Sequence, residues 1–167
     1  MTPDALLSRL TELEIEHPTI HHAAVFTVSE AQTIRGRLDG AHVKNLFLRN
    51  KKGRMWLLTC LEDRQLDLNA LGEHLGAKRL SFASVERLDT YLGVIPGAVT
   101  PLAAINDVEG KVTVVLDEKL LDHDPLNVHP LVNTMTTAIS AQNLLLFLRS
   151  TGHEPVIVNL DHFLKAG

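Results

Sequence analysis

The spacing of apolar residues changes several times along this 167-residue chain. Leu6, Leu10 and Leu13 recur at helical intervals just after Thr2-Pro3. Thr2 can cap that helix and Pro3 suits its first position, where a missing N–H costs nothing. Pro18 breaks the stripe, and Glu16 to Ile20 reads as a short extended piece. Capping-box spacing at Thr27 to Glu30, repeated at Ser29 to Gln32, predicts a helix from about Ser29 to Arg37, with Gly40 beyond its end. His42 to Asn50 and Arg54 to Leu61 are rich in apolar residues and flank Lys51-Lys52-Gly53, which predicts a hairpin. Further helices are expected at Leu66 to Leu75 and Ser84 to Leu92, each ended by a glycine. Thr100 to Ile105 and Lys111 to Leu116 read as strands joined by a turn, and Glu118 to Leu121 as one helical turn. The threonine-rich Val132 to Ile139 reads as a strand, with Ser140 capping a helix that Gly152 stops and Pro155 to Leu160 forming a last strand. No repeat or linker interrupts this order. Without a regular βαβ rhythm, the pattern predicts a mixed α/β fold: a single domain over residues 1–167, with a mixed or antiparallel central sheet and flanking helices.

Composition narrows the function only slightly. Hydrophobic residues make up 45% and charged residues 22%, which suits a folded globular chain and excludes a disordered one. The longest apolar run, Leu144 to Leu148, is five residues, far short of the ~20 needed to span a bilayer. The N-terminus lacks a signal peptide's basic start and apolar core, and Cys60 is the single cysteine, so a cytoplasmic protein without disulfides is expected. The net charge of −4 argues against broad nucleic-acid binding but leaves room for a local basic patch.

A few residues break the pattern in ways that matter chemically. In an extended His42–Asn50 segment, Lys44 shares a face with Leu46 and Leu48, while Asn45 shares the other with Val43 and Phe47. Pattern alone favours Lys44 as a strand-end lysine whose ammonium reaches water; the alternative puts its charge at a pocket mouth, where it would fix a phosphate or a polarised carbonyl. The Gly93–Pro101 segment holds two glycines and two prolines, so it is either a tight connection or a rigid loop at which a substrate approaches the Gly97 backbone. His129 sits in the constrained Asp124–Pro130 loop, where a structural histidine is the first expectation and a site wall the second. The nine histidines show no metal-ligand spacing. Cys60 lies in an apolar strand and reads as an inert buried thiol. Positive charge gathers at Arg49, Lys51, Lys52 and Arg54 around the hairpin and at Lys78 and Arg79, either as a solvated tip or as a phosphate-contacting patch.

Three segments in this order resemble the YbaK-like family, free-standing relatives of the editing domain found in bacterial prolyl-tRNA synthetases. They are Val43–Leu48, Gly93–Pro101 and Leu126–Ser140. The C-terminal stretch through His153 is most similar to the alanyl-tRNA(Pro) deacylases of that family. The resemblance implies the family's mixed α/β editing-domain fold and a carboxylic ester hydrolase that removes mischarged alanine from tRNA(Pro), with no metal and no organic cofactor. It implies functional roles for Lys44, Asn45, Gly97, Pro101 and His129, and an amino-acid pocket lined by Thr27, Val28, Ala31 and Val128. The implied partners are the aminoacylated acceptor end of tRNA(Pro), bound through the basic patch, and prolyl-tRNA synthetase; no membrane is involved. Two alternatives stand beside this reading: a non-catalytic tRNA- or synthetase-binding module, and a deacylase for another small amino acid such as cysteine or serine.

Overall fold

The computed structural model describes residues 1–24 and 38–166. The helix expected over Ser29–Arg37 and the pocket residues Thr27, Val28 and Ala31 lie outside them.

Helix α1 spans Pro3–Glu12, with the Thr2 hydroxyl accepting from Ala5 N. Its stripe buries Leu6 and Leu10 completely, each worth about 1.5–3 kcal/mol relative to exposure. Strands β1 (Thr19–His21), β2 (Ala41–Arg49) and β3 (Met55–Leu61) follow. β2 and β3 form the expected antiparallel hairpin, and Gly53 supplies its positive φ of 85°. Helix α2 (Leu68–His74) is capped by Asp67, and β4 (Ser81–Phe82) is a two-residue strand. Helix α3 (Val85–Arg87) widens into a π turn over Leu88–Leu92 and stops at Gly93. Strand β5 (Val112–Asp117), the 3-10 turn Glu118–Asp122, β6 (Leu126–Val128), β7 (Met135–Ile139), helix α4 (Ala141–Ser150) and β8 (Val156–Val158) complete the order.

Among the described residues these strands make one eight-stranded sheet in the order β1-β7-β6-β2-β3-β5-β8, with β4 added to β2. It is mixed: β2–β6, β3–β5 and β5–β8 are parallel and the other pairs antiparallel. Helices α1 and α4 and the 101–106 segment close a core on one face through Leu6, Leu10, Phe47, Leu57, Leu102, Val114 and Phe147. Helix α2 closes the other face over Leu48, Trp56, Leu58 and Leu71.

The structure corrects three of the expectations. Thr100–Ile105 is not a strand. Pro101–Asn106 is a 3-10 helix, capped by the Thr100 hydroxyl accepting from Leu102 N at 3.3 Å. Pro101 through Ala104 are all buried in succession, so the alternation that a one-sided strand needs is absent. β5 therefore pairs in parallel with β3 and β8 rather than back onto residues 100–105. The Asp124–Pro130 segment is not all loop, because it contains the buried strand β6, and β7 begins at Met135 rather than Val132. Behind the 101–106 turn, buried Asp107 accepts from Val112 N at 2.8 Å and meets His153 Nε2 at 2.8 Å, tying this turn to the end of α4.

Candidate functional site

The candidate site residues lie around the place where the sheet divides. β2 pairs with β6 only at Ala41↔Leu126 and His42↔Asn127. Farther along the same edge, β4 takes over at Leu48↔Phe82. Between them, from Val43 to Leu46, that edge of β2 has no ladder partner among the described residues. Lys44 and Asn45 sit on β2 just past the parting, and Val128 and His129 lie just past it on the β6 side. The Asn127 side chain bridges the root of the split, donating to Asp39 O at 2.8 Å and Ala41 O at 3.2 Å.

The pleat separates the two neighbours on β2. Asn45 lies on the α1/α4 face, where the Thr59 hydroxyl donates to its Oδ1 at 2.6 Å, turning its NH2 group away from Thr59. Lys44 projects from the opposite face. It is half-buried and its ammonium donates to the Arg64 carbonyl, so it does not extend freely into water. It lines a cleft of about 560 Å³ with Gln65, Asp67, Phe82 and Lys165.

Past β6, the chain turns tightly through residues 129–135. His129 is half-buried and its Nδ1–H donates to Met135 O at 2.9 Å, closing the turn. That bond leaves Nε2 as the acceptor of the neutral ring. Burial pushes the His129 pKa below its ordinary value, with nearby His22 adding to the effect and the Met135 bond opposing it. The His22 ring stands 6.3 Å away, held by Ala23 O at Nδ1 and the Thr136 hydroxyl at Nε2, 2.8 Å each. Leu131 within this turn takes the left-handed φ of 71°.

The Gly97 loop packs against that turn. Pro96–Ala98 forms a 3-10 turn in which Gly97 is exposed. A Cβ at Gly97 would sit 3.2 Å from Asn133 Nδ2. Ala98 N–H, next to Gly97, is committed to Ile95 O at 2.9 Å. Pro101 is buried and anchors the loop, and Val128 is buried in the core with 3% exposure.

The structure thus brings Gly97 to the 129–135 turn and puts Lys44 in a cleft on the other face of the sheet. Of the basic residues, Lys51, Lys52, Arg54, Lys78 and Arg79 line a single cleft of about 310 Å³ between the hairpin tip and the end of α2. Arg49 does not line it; its Nε donates to Asn50 O at 3.3 Å. Cys60 is fully buried and its thiol is pushed up to about 12, chiefly by burial, so it is no nucleophile. Among the described residues no three His, Cys, Asp or Glu side chains gather into a metal site. None of their helices is long and apolar enough to cross a membrane. Asn133, His22 and Thr136 escaped the sequence reading; the available signals were one amide in a β-branched run and the adjacent His21-His22.

The sequence profile of the aminoacyl-tRNA editing domain matches residues 22–147, and the chain belongs to that family. It is 41% identical over 162 residues to the prolyl-tRNA synthetase associated domain-containing protein 1 of Bos taurus, covering 94% of each chain. It is 37% identical over 150 residues to the prolyl-tRNA editing protein ProX of Acetoanaerobium sticklandii, covering 89% of this chain and 92% of that one. A solved structure described as a candidate trans-editing enzyme for prolyl-tRNA synthetase superposes with a TM-score of 0.69 at 20% identity, covering 100% of this chain and 99% of that one, a likeness of fold.

Proposed function

We propose that this chain is a trans-acting deacylase that hydrolyses the ester of alanyl-tRNA(Pro). The observation that carries the reading is the neutral His129, fixed through Nδ1 by Met135, on a turn packed against the exposed Gly97 loop. An aminoacyl ester is already activated, so the site needs no side-chain nucleophile. Water adds to the ester carbonyl, the bond to the ribose oxygen breaks, and the water's proton ends on that oxygen. The products are the free amino acid and an intact tRNA end. His129 Nε2, as an acceptor, suits a ribose hydroxyl or the substrate's ammonium.

The rest of the molecule fits an acceptor end. The basic cleft of Lys51, Lys52, Arg54, Lys78 and Arg79 supplies phosphate contacts on a protein of net charge −4. In this reading Asn45 faces the Gly97 side of the sheet, Pro101 anchors the loop, and Lys44 reaches the terminal nucleotide from the cleft on the opposite face, at the unpaired edge of β2. Alanine is accepted and proline rejected by size, a contrast that a close wall makes sharply. The protein acts without a metal, in the cytoplasm, alongside prolyl-tRNA synthetase.

The test is a deacylation panel with alanyl-, cysteinyl-, seryl- and prolyl-tRNA(Pro), run with and without excess chelator. Alanyl-tRNA(Pro) should be cleared fastest, prolyl-tRNA(Pro) spared, and the chelator without effect. Faster clearance of the cysteinyl or seryl ester would move the substrate assignment, and no hydrolysis at all would leave a binding module.

A further inference from the structure

We infer that Asn133 is a catalytic hydrogen-bond donor, its side-chain amide receiving the ester carbonyl oxygen as it becomes an oxyanion. This deepens the deacylase reading and rests on it. Asn133 is only 6% exposed, and its Nδ2 is buried with no hydrogen-bond partner among the described residues. A buried donor without an acceptor costs about 1–3 kcal/mol, so its retention calls for an occupant.

Its surroundings suggest what that occupant is. Gly97 lies directly against Nδ2, where a Cβ would stand 3.2 Å away. Gly97 is not among the glycines with a positive φ, so its backbone does not demand glycine. The missing side chain instead lets the loop lie directly against the amide and cover it. The turn that presents Asn133 is stapled by the His129–Met135 bond and holds Leu131 in a left-handed conformation that non-glycine residues adopt at a cost. Ala98 N–H is taken by Ile95 O, whereas the Asn133 amide beside Gly97 is a buried donor without a partner among the described residues.

The chemistry suits a neutral amide. As water adds to the carbonyl carbon, the C=O electron pair moves onto oxygen, and Nδ2–H donates to that oxygen more strongly than to the ground-state ester. When the ester bond to ribose breaks, the pair returns and the proton passes to the departing ribose oxygen. Because the amide is covered, the acceptor gains access as the Gly97 loop yields locally, and glycine leaves no side chain to displace.

The experiment compares the parent with Asn133→Asp and Asn133→Ala, using alanyl-tRNA(Pro) turnover, thermal midpoint, and binding of a tRNA minihelix carrying a non-hydrolysable 3′-alanylamide. Asn133→Asp keeps the shape and replaces the donor by an acceptor; Asn133→Ala removes both. The expected result is a kcat lower by about 10²–10³-fold in both variants, the range for losing one oxyanion donor, with KM and analogue binding within about threefold of the parent. The thermal midpoint of Asn133→Ala should fall only by the small packing loss of a truncated side chain, since no hydrogen bond is lost, and that of Asn133→Asp serves as the shape-conserving comparison. Parent-like turnover in either folded variant overturns the role of Asn133 and leaves the deacylase reading standing. Loss of turnover in proportion to a fallen midpoint makes Asn133 structural and also overturns it. A parent that hydrolyses none of the esters overturns the deacylase reading, and this role with it.

Discussion

Burial holds the His129 imidazole neutral to a lower pH than water would, and that has a thermodynamic consequence. Its folded pKa lies below the ordinary 6.5, so unfolding between the two values takes up a proton. Its contribution to stability is complete above about pH 6.5 and is lost as the pH falls from there through the lowered folded value. Thermal midpoints at pH 7.5 and 5 should therefore fall further for the parent than for His129→Asn; equal falls would count against a buried, neutral ring. Lys44 is the second residue with a specific expectation. Lys44→Met keeps the apolar stem and removes the ammonium, losing one hydrogen bond to Arg64 O worth about 0.5–1.5 kcal/mol net. Deacylation should drop far more than that small loss of stability explains. Turnover equal to the parent's would make Lys44 only a tether for the 64–65 turn. Sequence pattern gave Lys44 its strand and its face correctly. It could not supply the Arg64 carbonyl, because a contact between residues 20 apart depends on how the chain returns. Asn133 was illegible for a related reason: an orphan donor is defined by what fails to meet it in three dimensions.

Among the elements, α2 gives the sharpest test. A helical glycine replaced by alanine ordinarily gains up to about 1 kcal/mol. Gly72 should reverse that sign, since its Cβ would stand 2.5 Å from Lys78 O, a backbone atom. Gly72→Ala should lower the thermal midpoint and displace the Lys78–Arg79 segment, raising KM for the aminoacyl-tRNA; an increased midpoint would show that the loop yields freely. Elements were legible where local chemistry and burial agree. Thr2, Ser140 and Gly53 punctuate α1, α4 and the hairpin as their residue types require. They were misread where a short apolar run stands alone. Leu102, Ala103 and Ala104 are fully buried, a pattern that a short helix and a buried strand share. β6 was missed because Leu126–Val128 is three residues long, flanked by prolines, and made a strand by its partners β2 and β7.

At the scale of the whole molecule, charge is unevenly spread, and the basic cleft should be readable in salt dependence. Neutralising Lys51, Lys52, Arg54, Lys78 and Arg79 together should raise KM more than it lowers kcat and flatten the dependence of KM on salt. Arg49→Gln serves as the control, because Arg49 lies outside that cleft and should leave the salt slope unchanged. A slope unaltered by the five-fold neutralisation would remove the cleft from tRNA binding. A mixed sheet was legible because helices and strands alternate without a regular βαβ rhythm, and its two cores arise because β3 and β5 are apolar on both faces. The cleft needed the fold, since the hairpin tip and the end of α2 are separate in the chain and meet only through packing.

The ladder that joins β2 to β6 comprises two residue pairs, reinforced by one asparagine side chain. The sheet portions on either side carry longer ladders of their own. Among the described residues the joint is thus held by fewer backbone pairs than the ladders on either side, and a small displacement there disturbs the least pairing. The room available to an amino acid then depends on how far apart the two portions rest as well as on the side chains lining the gap. A change of preferred amino acid could be reached by resetting that joint from a distance, with the residues around the reacting ester left as they are.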